Sequence, residues 1–343
     1  MNYKLLGNSG LRVSELCLGT MTFGTEWGFG SDYAQSKAVF DVFSDAGGNF
    51  VDTANLYTVG TSEKWLGEFI RTNRDFYVVA TKFGLKEKAG DPNFSGNHRK
   101  NLIRSVEGSL KRLSTDYIDL LWLHAWDFTT SSDELMRSLD DLIRSGKVHY
   151  IGISNTPAWV IAQSNTLAEL RGWNKFAAVQ VEYNLLERTA ERELIPMARA
   201  FDLAITPWSP LAGGALTGKY LRNEPGRIKE NHVRRNDRSN AIADLISETA
   251  GLLEISPAQV AINWIRQQQG IFIPVIGAKT PEQLKDSLGC LNAALPDEIM
   301  QQLDDASAIE KGVPHEYLHK PETKEVLFSG TWSALENHRT NKI

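Results

Sequence analysis

Eight short apolar segments rich in β-branched residues alternate with longer segments of helical periodicity along most of the chain. The short segments cover residues 15–18, 49–52, 77–81, 118–123, 150–153, 178–181, 203–206 and 272–276. The helical segments cover residues 34–46, 62–72, 100–113, 133–145, 157–171, 190–200, 257–269 and 281–291. Such alternation is typical of parallel βαβ units. Because eight units close a (β/α)8 barrel, whereas a doubly wound sheet typically uses fewer strands, the sequence predicts an α/β fold of the TIM-barrel type.

The boundaries of these segments carry further signals. Ser256 and Thr156 each precede a proline, which predicts a hydroxyl cap with proline in the first helical turn. Residues 3–13 predict a hairpin with its turn at 7–10, which would cover the bottom of the barrel. Three stretches exceed the usual connection length, namely 84–99, 211–240 and a C-terminal extension at 311–343. We therefore predict one domain over residues 1–343, with long loops.

The composition excludes several classes of protein. The chain has 343 residues, 42% of them hydrophobic, and a formal net charge of -5, which disfavours a nucleic-acid binder. Cys17 and Cys290 are too few for a disulfide framework and are predicted to be buried thiols. The start of the chain lacks the pattern of a signal peptide, and no apolar run reaches the length of a membrane span. The prediction is a cytoplasmic protein without a metal site, a membrane partner or a nucleic-acid partner; a homo-oligomer stays open.

Four ionisable side chains follow three successive predicted strands. Asp52 ends the second strand, Tyr57 follows five residues later, Lys82 follows the third strand and His124 follows the fourth. Taken singly, each has an ordinary structural role: a turn-forming aspartate, a packed tyrosine, a lysine that reaches solvent and a buried histidine. Because the carboxyl ends of barrel strands meet at one mouth, the four side chains together predict a catalytic site.

The chemistry that uses these groups is proton delivery to a carbonyl oxygen. A phenol is too weak an acid for this task unless a nearby cation stabilises its anion, and Lys82 is the candidate cation for Tyr57. Asp52 would keep the lysine charged and oriented, and His124 would hydrogen-bond the substrate oxygen. No side chain donates hydride, so a nicotinamide cofactor is predicted.

Several motifs together resemble those of the aldo-keto reductases. The segments that carry the resemblance are 49–57 (NFVDTANLY), 80–82 (ATK), 118–124 (IDLLWLH), 152–155 (GISN) and 180–184 (QVEYN). The resemblance extends from about residue 5 to the helix around Leu303. Segments 207–214 and 218–220 are most similar to the aryl-alcohol dehydrogenase-like branch. The resemblance implies a reductase of aldehydes or ketones, which are small-molecule carbonyl substrates.

The resemblance also implies where the cofactor binds. Ser154, Asn155 and Gln180 would bind the nicotinamide carboxamide, and Trp208 would stack on the ring. The residues implied for the pyrophosphate are Ser209, Leu211, Gly213 and Lys219, and those for the adenosine end are Gly277, Lys279, Gln283 and Ser287. No G-x-G-x-x-G motif follows a predicted strand, so a Rossmann site is not expected.

The choice of cofactor is less strongly indicated than its binding. Many members of the family carry an arginine for the 2'-phosphate where this chain has Gln283, so Lys279 is the candidate for that contact. NADPH (NADP+ when oxidised) is expected rather than NADH, with an ordinary solvated lysine as the alternative interpretation of Lys279.

Two further regions are candidates for ligand contacts. Trp27, Phe29 and Trp126 are expected to form an apolar wall for the substrate, or else to be surface aromatics. Ala125, a small residue, directly follows His124. The segment 219–238 is predicted to be a lid over the cofactor phosphates, with a solvated loop as the alternative. Its seven basic residues exceed its three acidic ones, including Glu230, by four.

Two other functions remain possible on the sequence alone. One is a cofactor-binding regulatory subunit with little turnover, similar to the potassium-channel β subunits that share this fold. The other is a barrel lyase or isomerase that uses no cofactor. Binding of NADPH together with carbonyl reduction separates the enzyme from both.

Overall fold

A parallel sheet of eight strands forms the centre of the protein in a computed structural model that describes residues 1–222, 224–229 and 231–336. Its strands are β3 (Cys17–Gly19), β4 (Phe50–Asp52), β5 (Val78–Phe83), β6 (Ile118–Leu123), β7 (Val148–Ser154), β8 (Ala178–Glu182), β9 (Ala204–Trp208) and β10 (Val275–Ile276). Seven strands pair in chain order from β3 to β9, and β10 pairs with β3. The prediction of a (β/α)8 barrel is confirmed.

The barrel closes at a seam between β9 and the residues just before β10. Ile205 N donates to Ile271 O over 2.7 Å, and Ile273 N donates to Ile205 O over 2.8 Å. On the other side of β10, Val275 pairs with Cys17 and Ile276 with Leu18. These bonds make the sheet a nearly continuous barrel although β10 has only two residues.

The helices pack around the barrel. They are α1 (Tyr33–Asp45), α2 (Thr61–Ile70), α3 (Arg99–Leu113), α4 (Ser132–Arg144), α5 (Ala158–Arg171), α6 (Leu194–Ala200), α7 (Asp237–Leu253), α8 (Pro257–Arg266), α9 (Pro281–Leu288), α10 (Asp297–Ser307), α11 (His315–His319) and α12 (Pro321–Leu327). Ser256 caps α8 by accepting from Gln259 N, as predicted. Thr156 does not cap α5, because its hydroxyl donates to Ser154 O and Pro157 holds the cap position.

The N-terminal hairpin covers the bottom of the barrel, as predicted. Its strands β1 (Tyr3–Leu5) and β2 (Arg12–Ser14) pair antiparallel. Leu6 and Val13 are fully buried among the side chains that fill the barrel. Gly7 has a φ of +57° and lies so close to β8 and β9 that an added Cβ would sit 2.2 Å from Ala177 O. A side chain at this position would therefore push the hairpin off the barrel.

The long connection predicted at 211–240 is only partly a loop. A short 3-10 segment (Ala212–Thr217) begins it, and α7, which the sequence reasoning missed, starts at Asp237. Asn236 caps α7 and shares a reciprocal capping box with Ser239. The stretch at 84–99 is a loop up to the start of α3, as predicted.

The C-terminal extension carries α11, α12 and a short 3-10 segment (Trp332–Ala334). Its residues 337–343 and Glu230 of the predicted lid lie outside the described residues. Within the described ranges, no helix has the length and apolar character needed to cross a membrane.

Candidate active site

A buried ion pair lies at the carboxyl ends of β4 and β5. Lys82 Nζ donates to the Asp52 carboxylate and, over 2.7 Å, to Thr53 O. Gln180 Nε2 donates to the other oxygen of Asp52 over 3.1 Å, so β8 reaches the pair from across the barrel. Lys82 is fully buried and Asp52 is 3% exposed. The pair therefore has every charge matched and hydrogen-bonded inside the barrel, as a buried ion pair requires.

Tyr57 lies beside this pair at the start of the short 3-10 segment Tyr57–Gly60. Lys82 Nζ is 4.8 Å from the centre of the phenol ring. Although burial works against the charged ammonium, the Asp52 carboxylate and the Tyr57 hydroxyl together raise the pKa of Lys82. The lysine therefore stays cationic next to the phenol.

The pKa of Tyr57 moves in the direction opposite to the one expected from Lys82 alone. Burial raises it above the ordinary value, and the negative charge of Asp52 acts the same way. Lys82 lowers it, but by less than burial raises it. The phenol therefore keeps its proton at neutral pH, which is the protonation state that a proton donor needs.

His124 completes the group. Its ring centre lies 6.0 Å from that of Tyr57, nearly perpendicular to it. Burial, helped by the charge of Lys82, lowers the pKa of His124 to about 3, so the imidazole is neutral. Its Nδ1 is buried and has no hydrogen-bond partner within the described part of the chain. A neutral imidazole suits a group that hydrogen-bonds a substrate oxygen without competing for its proton.

The segment after Tyr57 has an unusual backbone that sequence reasoning missed. Thr58 and Val59 have φ of 46° and 56°, which are costly for β-branched residues. The Thr58 hydroxyl donates to Phe23 O over 2.6 Å and accepts from Ser62 N. These contacts hold the segment, and with it Tyr57, in a conformation that local preference disfavours.

The residues expected to bind nicotinamide lie next to this group. Ser154 Oγ is buried without a hydrogen-bond partner among the described residues, as a group that awaits a ligand would be. Asn155 is exposed and its amide donates to His124 O over 2.8 Å. Gln180 faces Asp52, and Trp208 is half-buried at the end of β9. Together they fit a carboxamide and a flat ring.

The residues expected at the pyrophosphate form a glycine-rich turn after β9. Gly213 and Gly214 have φ of 69° and 92°, and a Cβ on Gly214 would lie 2.6 Å from Lys219 Nζ. Ser209 is half-buried, and Leu211 packs against buried apolar side chains of the core. The backbone of this turn and the Lys219 ammonium fit a phosphate.

Two arginines of the predicted lid lie close to residues expected to contact ligands. Arg234 forms an ion pair with Glu182 at the end of β8, and its Nη1 lies 3.4 Å from Ser209 Oγ. Arg227 lies 4.6 Å from the centre of the Phe29 ring. The sequence predicts a basic loop from its charges, but it does not reveal that Arg234 is paired with the carboxylate of Glu182.

The expected adenosine region lies at the start of α9. Gly277 is exposed and Lys279 half-exposed, whereas Ser287 is buried. Gln283 is engaged locally, because its side chain accepts from Lys279 N over 2.9 Å. Hydroxyl groups of Thr22 and Ser31 hold this turn through the carbonyls of residues 278 and 279.

The three aromatic residues expected to line the substrate site lie on two loops at this end of the barrel. Trp27 lies with its ring centre 6.0 Å from Tyr57 and 5.9 Å from Phe29. Trp126 lies on the loop after β6, where it lines a cavity of about 370 Å³ together with residues of the loop after β5. Trp27 therefore borders Tyr57, and Phe29 packs beside Trp27.

Comparison with known proteins agrees with this arrangement. The model of the aldo/keto reductase family matches residues 15–308, which include all four ionisable residues of the site. The chain belongs to the aldo/keto reductase family. Members of the family use nicotinamide cofactors and act on small-molecule carbonyl substrates, which supports an oxidoreductase.

This aldo/keto reductase is similar to several curated fungal proteins. It is 38% identical to a norsolorinic acid reductase of Emericella nidulans over 98% of this chain and 90% of that protein. It is 37% identical to a norsolorinic acid reductase of Aspergillus flavus, over 93% of this chain and 84% of the relative. It is also 36% identical to an aryl-alcohol dehydrogenase of Pestalotiopsis microspora, over 92% and 84%. The resemblance to the aryl-alcohol dehydrogenase-like branch therefore agrees with the relatives.

Proposed function

We propose that this protein is an NADPH-dependent reductase of aldehydes or ketones in which Tyr57 donates the proton. The observation that carries the proposal is the phenol of Tyr57 between a buried cation and a neutral imidazole. Lys82 Nζ lies 4.8 Å from its ring centre and the His124 ring 6.0 Å away.

The chain's own residues then divide the work on the substrate oxygen. When bound, the cofactor supplies hydride to the carbonyl carbon. His124 orients the oxygen by a hydrogen bond, and Tyr57 gives it a proton as negative charge develops. Lys82 stabilises the phenolate that remains, and Asp52 keeps Lys82 charged and in place.

The choice of NADPH over NADH depends on basic groups near the phosphates. Lys279 precedes α9, a helix capped by Thr280, so the ammonium and the helix start together favour an anion. Gln283 does not add a charge, and its side chain is bound to the backbone of Lys279. Lys279 therefore carries the proposed preference for the 2'-phosphate.

We propose aromatic carbonyl compounds as the substrates. Trp27 presents an aromatic surface beside Tyr57, with Phe29 next to Trp27, and such surfaces stack well on aromatic rings. The printed names of the relatives, which include an aryl-alcohol dehydrogenase, are consistent with this class.

The test is the variant Tyr57→Phe. It should reduce NADPH-dependent turnover of benzaldehyde at least about a hundredfold, the contribution usual for a positioned acid. NADPH affinity, measured by fluorescence titration, should change little because the phenol is not among the cofactor contacts. Tyr117→Phe is the matched control, since its hydroxyl bonds Asp75 at the opposite end of the strands.

Two results would contradict the proposal. Near-normal turnover in Tyr57→Phe would show that another group donates the proton. Tight NADPH binding without turnover of any aldehyde or ketone in the natural protein would favour the regulatory subunit instead.

A further inference from the structure

Two amide side chains lie close together where the nicotinamide is expected to bind. Gln180 of β8 pairs in register with Ser154, the last residue of β7, and Asn155 follows Ser154 in the chain. The two amides therefore lie on neighbouring strands at a similar level of the barrel. In an amide the nitrogen only donates hydrogen bonds and the oxygen only accepts them. The direction in which each amide points therefore decides which groups a ligand must offer.

The ion pair sets the direction of the Gln180 amide. Nε2 of Gln180 donates to one oxygen of Asp52 over 3.1 Å, and the other oxygen of Asp52 accepts from Lys82. An ionised carboxylate accepts hydrogen bonds and donates none, so Gln180 must meet Asp52 with its nitrogen. The amide oxygen Oε1 is thereby turned away from the ion pair.

The oxygen of Gln180 is left for a ligand. Within the described ranges no group of the protein donates a hydrogen bond to Oε1. Gln180 is 4% exposed, and Oε1 is not among the fully enclosed polar atoms that lack a partner. Oε1 therefore keeps accessible surface, and a donor on a ligand can reach it.

Asn155 has the same polarity for a different reason. Its Nδ2 donates to His124 O over 2.8 Å. A peptide carbonyl also accepts only, so the nitrogen of Asn155 must face His124 and the oxygen is left for a ligand. Asn155 is exposed, and it borders the same small space as Trp208, which is expected to stack on the nicotinamide ring. Two neighbouring amides thus reserve their acceptors for a ligand beside Trp208.

Two acceptors side by side match a group that carries two donors. The nitrogen of a primary carboxamide has two N–H donors. An acetyl group has nearly the same shape but places a methyl group where the carboxamide has its nitrogen. A ligand with an acetyl group would leave the oxygen of Gln180 without a donor, and an unpaired polar group weakens binding.

We propose that Asp52 determines, through the buried amide of Gln180, that the cofactor site selects a primary carboxamide over substituents without an N–H donor. This inference rests on the proposed function, because it places the nicotinamide beside Gln180 and Trp208. It gives Asp52 a second role besides holding Lys82. In this role Asp52 is a positioning residue, since it acts on the cofactor only through Gln180.

The variant Asp52→Asn should reverse the Gln180 amide. Lys82 has only donors, so the oxygen of the introduced amide turns to Lys82 and its nitrogen faces Gln180. That nitrogen needs an acceptor, so the Gln180 amide rotates and presents its own nitrogen to the ligand. An acetyl oxygen then gains a donor, and a carboxamide nitrogen loses an acceptor.

The test compares NADP+ with its 3-acetylpyridine analogue, in which an acetyl group replaces the carboxamide. Calorimetric titration gives the Kd of each compound. The natural protein should bind NADP+ at least about tenfold more tightly than the analogue, and Asp52→Asn should reduce this ratio at least about fivefold. Equal affinity of the natural protein for the two compounds would overturn the proposal, and so would an unchanged ratio in Asp52→Asn.

Asp119→Asn is the matched control. Asp119 is also a buried carboxylate in an ion pair, here with Arg74, but it lies at the start of β6, far from the end that carries His124. The control therefore makes the same chemical change and disturbs a comparable ion pair, yet it should keep the ratio of the natural protein. If it lowers the ratio as much as Asp52→Asn does, the effect comes from a general loss of stability and the proposal is wrong.

A second pair of variants shows whether Asp52 acts through Gln180. Gln180→Met removes the amide and should also lower the ratio at least about fivefold. Adding Asp52→Asn to Gln180→Met should then change the ratio no further. An additional decrease would show that Asp52 affects the cofactor by another route, which contradicts the proposal. If Asp52→Asn does not fold, the double variant Asp52→Asn/Lys82→Met, which leaves no unpaired charge, takes its place, and its ratio should fall as well.

The binding ratio and the turnover can fail separately. If the natural protein reduces carbonyl compounds through Tyr57 but Asp52→Asn keeps the ratio, the role of Asp52 is wrong and the proposed function stands. If the ratios behave as expected but the natural protein reduces no aldehyde or ketone, the proposed function fails and the role of Asp52 stands.

Discussion

Removing one partner of the Asp52–Lys82 pair should cost far more stability than removing both. Lys82→Met leaves a carboxylate that is 3% exposed without its cation, and Asp52→Asn leaves a fully buried ammonium without its anion. Breaking a buried pair in this way costs about 3–5 kcal/mol. Replacing both partners by neutral side chains of similar volume is often close to neutral. The double variant should therefore be more stable than either single variant.

The structure sets where in that range the two single variants fall. In Asp52→Asn, Lys82 keeps its 2.7 Å bond to Thr53 O, so its loss is at the lower end, about 3 kcal/mol. In Lys82→Met, Asp52 keeps only the 3.1 Å bond from Gln180 among its side-chain partners in the described structure. The loss should then approach about 5 kcal/mol.

Urea unfolding followed by circular dichroism measures the four free energies of this double-mutant cycle. Turnover should be lost in Lys82→Met and in the double variant alike, which separates the role in catalysis from the role in stability. If the double variant loses as much stability as the two single variants added together, the residues are not coupled and the reasoning from burial is refuted.

Three further predictions concern other parts of the site. Burial lowers the pKa of His124 from 6.5 to about 3. This residue therefore contributes stability above about pH 6.5 that is lost as the pH falls toward 3, by up to about 1.4 kcal/mol per pH unit. The free energy of unfolding of His124→Gln, measured in urea, should depend less on pH than that of the natural protein. Val59→Asn should raise the free energy of unfolding by about 1 kcal/mol, because Val59 has a φ of 56° and is 76% exposed. Val59→Ile keeps the backbone strain and should leave the free energy of unfolding unchanged. Arg234→Met should weaken NADP+ binding about tenfold in a fluorescence titration. Glu182→Gln should strengthen the binding, because it releases Arg234 for the phosphates. Equal effects of the two changes on NADP+ affinity would contradict this role of Arg234.

The barrel was predictable because its signal is repeated eight times in the sequence. Strand segments buried on both faces are continuous apolar runs, and helices show their own period, so a few wrong boundaries do not change the result. The sequence pattern did not predict helix α7 because each βα unit needs only one helix. The helix that begins at Pro257 already supplied the helix of the unit between β9 and β10. The cap at Asn236 lies within a charged stretch that looked like a loop.

The four ionisable residues were predictable because each follows a strand at the same end of the barrel. The structure brings the four side chains to one end of the barrel. The pKa of Tyr57 does not follow from its neighbour alone, because burial depends on the whole structure. The backbone at Thr58 and Val59 was not predictable, since β-branched residues disfavour positive φ. A tertiary contact from Thr58 to Phe23 O selects it, and no local pattern encodes that contact.

The seam between β9 and β10 has a consequence for the order in which the barrel opens. Around it, Ile205 makes two backbone hydrogen bonds to the chain before β10, whereas β6 and β7 pair over five residues. Regions with few backbone bonds open first, so amide hydrogens at the seam should exchange with solvent before those of β6. The two strands that flank the seam, β9 and β10, also lead into the turn after β9 and the turn before α9. A dinucleotide bound to both turns would stabilise the closed seam. Its binding free energy would then be coupled to the free energy of opening the barrel at this seam.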